Sequence, residues 1–131
     1  HEKSMSAGKL ASHLAENHGW TKATLEADQL DVATDYKPFD GKTKDEILKT
    51  FDTLVAESLK VMKSGVSNEA MMRPWALKMN GQTMLEMHKA VVLRNFVLNH
   101  QVHHRGQLSV YLRLLGAPVP SIYGPSADEQ G

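Results

Sequence analysis

The stretch Asn99-His100-Gln101-Val102-His103-His104-Arg105-Gly106-Gln107-Leu108 decides how this chain is read. It lies within a long apolar-periodic run, which places it in the middle of a helix expected over Met87 to Leu115. His100 and His104 are four residues apart, a spacing that puts two side chains side by side on one helical face. With His100 as origin and about 100° per residue, Leu93, Val97, Leu108, Tyr111 and Leu115 fall at about +20° to +80°. His104 falls near +40°, in the centre of that apolar stripe, and His103 near −60°, at its edge. The inward pair is therefore His100 with His104, and His103 is expected at the surface or behind the pair. Gln107 also turns inward, at about −20°. Arg105 points away, as a surface or interhelix ion-pairing residue. Gly106 lies on the far side, where a mid-helix glycine costs about 1 kcal/mol; a close approach by another segment would explain it. Gly116 and Pro118 stop the helix.

The totals narrow the field. A chain of 131 residues fits one domain, 1–131. Fifteen basic residues balance fifteen acidic ones, so no charge excess points to nucleic acid or to an anionic membrane. Without cysteine, a disulfide framework and a zinc ribbon are both excluded, and a cytoplasmic location is expected. No apolar run approaches the roughly 18 residues of a membrane span. His1-Glu2-Lys3-Ser4-Met5 is polar and is no signal peptide. The absence of an initiator methionine points to a fragment or a processed chain.

Outward from the histidine stretch, residues 4–18 read as a helix capped by Ser4 or Ser6. His13 shares a stripe with Leu10, Leu14 and Asn17. Glu16 and Asn17 are expected to face solvent or to act as caps, the other reading being that they orient a ligand or hold a water. Gly19 ends or bends this helix, which resumes for a turn or two around Trp20, Leu25 and Leu30. Residues 31–42 read as a loop broken by Pro38. Thr43-Lys44-Asp45-Glu46 is a capping box, and Ile47, Leu48, Phe51, Leu54, Val55, Ser58, Leu59 and Met62 continue at helical period to Ser64-Gly65. Asn80-Gly81 between two short apolar runs predicts a β-hairpin near 75–85, which must lie on a helical surface. The methionines, Met62, Met71, Met72, Met79, Met84 and Met87 among them, read as core filler. Residues 117–131 form a tail held down by Ile122 and Tyr123. The expected fold is thus an all-α, up-and-down helical bundle with one small hairpin.

Seven histidines suit metal chemistry. An inward His13 added to His100 and His104 makes a three-imidazole set, suited to zinc, nickel, copper or ferrous iron. Three protein ligands leave a position for water or substrate, the pattern of a catalytic rather than a structural site. Such an ion lowers the pKa of its water or binds a thiol. Against this, histidine pairs four apart also arise by chance, and an inward histidine is commonly a hydrogen-bonded core residue; spacing alone leaves both readings open. No H-E-x-x-H motif, G-x-S-x-G elbow or complete phosphate loop is present.

Gly8-Lys9-Leu10-Ala11-Ser12-His13-Leu14-Ala15-Glu16 with Gly19-Trp20, the Asn99–Leu115 run and the closing Pro118–Glu129 segment resemble the DinB-like superfamily. The resemblance covers nearly the whole chain. It implies a four-helix bundle with a central metal site, usually of three histidines, which falls on His13, His100 and His104. It implies one divalent ion, nickel or zinc, and an activity of metal-dependent hydrolysis or thiol S-transfer on a small molecule. The alternative is a non-catalytic stress-related or dimerisation protein whose metal is structural or absent. Family members carry a further helix before the one bearing His13. Its apparent absence here implies either an incomplete chain or an apolar face covered by a partner subunit, as in a homodimer.

Overall fold

The computed structural model describes residues 1–129 and is mostly helical, with one small sheet. The last two residues of the expected tail lie outside the described residues. Helix α1 spans Ala7–Glu16, and α2, Gly19–Glu26, follows after a two-residue bend. Of the two candidate caps the structure uses Ser6, whose hydroxyl accepts from the Lys9 amide, so the helix begins at residue 7 rather than 4. Helix α3 spans Lys44–Lys63. Thr43 accepts from the Glu46 amide as expected, but the Glu46 carboxylate reaches one residue further back, to the Lys42 amide, at 2.7 Å. Gly65, at φ +94°, ends the helix in the left-handed region that glycine enters freely.

A short helix, α4 (Asn68–Met71), leads into strands β2 (Pro74–Met79) and β3 (Gln82–His88). These pair antiparallel, Trp75 opposite Met87 and Met79 opposite Gln82. Asn80 and Gly81 turn the chain with φ of +50° and +80°, the two positive angles of a tight hairpin. The expectation of an irregular loop from residue 31 is corrected at its start, because Gln29–Asp31 forms strand β1, parallel to β2 with Leu30 opposite Leu77. Three residues are too few to show a period, and a parallel partner is remote in sequence. Asp31 anchors the hairpin turn, its carboxylate accepting from the Ala33, Asn80 and Gly81 amides. Those bonds, the one from Gly81 foremost, hold its carboxyl below the usual carboxylate range.

The final helix is not one α-helix from Met87. Met87 and His88 belong to β3, where the sheet partner outweighs helical periodicity. Helix α5 (Lys89–Val92) passes into a π-helical segment, Leu93–Asn99, before α6, His100–Leu114. A π-segment shifts the phase of one helix end against the other. Gly106 is a second correction: a Cβ there would meet nothing within 4 Å, so no segment approaches it.

Helix α1 contacts both α3 and α6, and the core gathers around Leu10, Ala15, Trp75, Val92 and Val97. Trp20 sits beside it, stacked on Phe96 at 6.0 Å and near Trp75 at 6.3 Å. Lys89 is buried; its ammonium bonds the Ala27 carbonyl at 2.7 Å and the Asp28 carboxylate at 2.9 Å, joining the start of α5 to the end of α2. Met62, Met72, Met79 and Met84 are exposed, against the expectation of core filler. The α3 stripe is only partly covered: Ser58 is buried, while Leu48, Phe51, Leu59 and Met62 are exposed. The tail is held chiefly by Arg113, paired with Asp128 at 2.7 Å, whereas Tyr123, expected to pack down, is exposed.

The hairpin is part of the core through Trp75, which is fully buried. Replacing it by alanine should cost about 3–5 kcal/mol. Urea denaturation measures this, and a loss below about 1.5 kcal/mol, the cost of a mild volume-conserving change, would mean that the sheet is peripheral to stability.

Candidate metal centre

His13 lies in α1 and His100 and His104 in α6, and antiparallel packing of the two helices brings all three together. Gln101 Nε2 donates to the Leu14 carbonyl and Tyr111 to the Met5 carbonyl, at 2.7 and 2.9 Å, so the contact runs along both helices. The ring centroids of His13, His100 and His104 are 4.4 to 5.0 Å apart. One ring nitrogen from each lies within 4.8 Å of the others, a group that could hold a metal ion. His13 Nε2 and His100 Nε2 are 2.8 Å apart. Two neutral imidazoles at that distance share one proton in a hydrogen bond. His103 is exposed and touches the group only through His104, at 4.7 Å between centroids. The structure therefore brings together the three histidines that the stripe geometry selects and leaves His103 outside. His18 faces elsewhere, edge-on to Phe51.

The surroundings of the rings differ from the sequence expectation. Glu16 and Asn17 neither face solvent nor serve only as caps; both are buried. The Glu16 carboxylate accepts from His13 Nδ1 at 2.9 Å, from the Tyr36 hydroxyl at 2.7 Å and from the Phe39 amide at 2.6 Å. The Asn17 amide donates to the Phe96 carbonyl at 2.7 Å, inside the π-helical segment that leads to His100. His104 Nδ1 meets Gln107 Oε1 at 2.7 Å, consistent with the inward angle of Gln107. Tyr36 and Phe39 are functional candidates that the sequence reading missed. They sit in an aperiodic loop, and nothing in their spacing signals contact with α1. Arg105 is exposed, as expected, but its partner is the Tyr123 phenol rather than an acid.

Electrostatics favour the neutral forms of His100 and His104. Burial, and then the neighbouring His104, His13 and His103, lower the pKa of His100 from 6.5 to about 4. Burial likewise lowers His104, against an opposing bond from Gln107. Burial and then Glu16 raise the Tyr36 hydroxyl well above its ordinary value, so it stays a donor. Metal ions bind the unprotonated imidazole, and the three-imidazole donor set fits a divalent transition-metal ion. The larger cavities lie elsewhere. A groove of about 840 Å³ between α3 and α6 passes Asn99 and Gln101 but none of the three histidines lines it. A cavity of about 320 Å³ reaches Glu16, Trp20, Tyr36 and Phe39.

A mostly helical architecture with three imidazoles brought together from two antiparallel helices defines a helical protein with a candidate histidine metal centre. The chain belongs to the DinB family, whose sequence profile matches residues 1–130. Over 34 residues it is 53% identical to the Uncharacterized protein YrdA of Bacillus subtilis (strain 168). That match covers 26% of this chain and 20% of the relative, so the chain spans far less than the relative's length in the comparison. No solved structure matches the chain significantly. Among the described residues no helix is long and apolar enough to cross a membrane.

The low pKa of His100 has a measurable consequence. Between pH 6.5 and about 4 the unfolded chain binds a proton there that the folded chain does not. The stability linked to neutral His100 is complete above pH 6.5 and is lost as pH falls through that window. Urea titrations of metal-free protein should show a shallower slope for His100→Gln than for wild type over this range; equal slopes would contradict the assignment.

Proposed function

We propose that this protein binds one divalent ion, nickel or zinc, through His13, His100 and His104, and acts on a small molecule by metal-dependent hydrolysis or thiol S-transfer. The observation that carries the reading is the convergence of three imidazoles, two of which meet a hydrogen-bonding partner at Nδ1. That is the arrangement in which outer hydrogen bonds orient histidines toward an ion. An ion held by His13, His100 and His104 would leave room for water or a thiol and would supply Lewis acidity there. The chain's own contribution is orientation: α1 and α6 hold the rings, and the Glu16 and Gln107 side chains hold their Nδ1 atoms. We read residues 1–131 as one domain of the four-helix DinB type, located in the cytoplasm.

A second reading, a dimerisation protein whose metal is structural, is favoured by two observations. None of the larger cavities is lined by the three histidines, and the groove between α3 and α6 exposes Phe51, Leu59, Met62, Leu98 and Val102. A contiguous exposed apolar patch is one mark of an interaction site. On this reading a second copy covers the groove.

Elemental analysis of purified protein should find one equivalent of nickel or zinc, lost in His104→Ala. At a hundredfold excess over Kd the ion should stabilise the fold by about 2.7 kcal/mol. Metal-free protein whose melting temperature ignores both ions would reject the metal reading. With metal bound, turnover of ester or amide substrates supports hydrolysis, and thiol-dependent consumption of an electrophile supports transfer; neither activity in the loaded protein supports the structural alternative. Sedimentation should show a dimer that Leu59→Glu converts to monomer. A wild-type monomer at tens of micromolar would remove the homodimer.

A further inference from the structure

The Glu16 side chain is only 8% exposed, and its position suggests more than support for α1. Its Oε1 takes the His13 Nδ1 and Tyr36 hydroxyl bonds, and its Oε2 takes the Phe39 amide bond. A carboxylate is acceptor-only, so each of the three partners must be the donor. The His13 proton therefore sits on Nδ1, and its Nε2 lone pair points away from Glu16, toward His100. Residues 32–42 contain no helix or strand. Their attachments to α1 are the two bonds to Glu16 and one from the Gly41 amide to Ser12 Oγ at 3.0 Å.

We propose that Glu16 is a positioning residue for the metal centre with two linked effects. It holds His13 as the Nδ1–H tautomer that presents Nε2 to an ion. Through Tyr36 and Phe39 it also makes the 32–42 loop part of the centre, so that metal uptake stiffens that loop. The second effect follows from the first. An ion bound at Nε2 fixes the His13 ring, the ring fixes the carboxylate, and the carboxylate holds the Phe39 amide and the Tyr36 hydroxyl. The inference rests on the metal reading above.

Three measurements test it. Nitrogen-15 NMR of metal-free wild type at neutral pH should show His13 as the Nδ1–H tautomer; the Nε2–H tautomer would overturn the assignment. Glu16→Gln keeps size but turns an amide donor toward a donor, so calorimetry should show zinc affinity about 10–100-fold weaker. A Kd within twofold of wild type would overturn the positioning role. Amide exchange at Phe39 should slow on zinc addition in wild type and not in Glu16→Gln; an unchanged wild-type rate would overturn the coupling to the loop. Should Glu16→Gln fail to fold, the wild-type tautomer and exchange measurements still decide. Wild type that binds neither zinc nor nickel would overturn the metal reading and this inference together, whereas binding unaffected by Glu16→Gln overturns this inference alone.

Discussion

A buried polar group is costly unless it is paired, and α1 with its C-cap residue buries three polar side chains: Ser12, Glu16 and Asn17. Each makes a hydrogen bond to a different part of the molecule, although the buried Asn17 Oδ1 is left without a partner among the described residues. Ser12 takes the Gly41 amide at the approach to α3. Glu16 takes Tyr36 and Phe39 from the preceding loop, and Asn17 donates to Phe96 in the π-helical segment. These bonds tie the loop and the last helix to α1. An unsatisfied partner at any of them would cost about 1–3 kcal/mol. The same helix carries His13, so the demand for pairing and the assembly of the imidazole group share one scaffold.

The π-helical segment shows how that scaffold reaches the site. Residues 93–99 leave the α-helical ladder immediately before His100, and the Asn17 amide meets one of their carbonyls. The widened turn changes the phase between Val92, which is buried, and the histidines of α6. Such segments are often found at functional sites, where the shifted phase re-aims a side chain. His104, one regular turn beyond His100, needs no such adjustment.

The polar and apolar halves of the molecule are unequal. On the sheet side, Trp75, Trp20 and Phe96 pack together and the buried Lys89 is fully engaged by Asp28 and the Ala27 carbonyl. On the other side, α3 and α6 stand apart with an apolar groove between them. The α3 periodicity that reads so clearly in the sequence is addressed partly to neighbours in the chain, through Leu54 and Ser58, and partly to that groove. Periodicity reveals that a face is apolar; it does not reveal what covers it.

Local chemistry was legible without a structure wherever it depended on residues close in sequence. Thr43 as a cap, Asn80-Gly81 as a hairpin turn, and the stop at Gly116 each follow from conformations that few residue types allow. The proximity of His100 to His104 is likewise local, because residues four apart are neighbours on one helical face. The family resemblance was carried by the same local motifs. The parts decided only by the tertiary structure involve partners distant in the chain. Strand β1 exists because β2 lies beside it. Met87 and His88 are strand rather than helix because β2 pairs with them. Glu16 is buried because Tyr36 and Phe39, some twenty residues away, bring donors to it. Sequence periodicity records which way a side chain points from its own helix. Long-range hydrogen bonds determine what it meets there, and for the histidine group that difference separates three nearby rings from an oriented set.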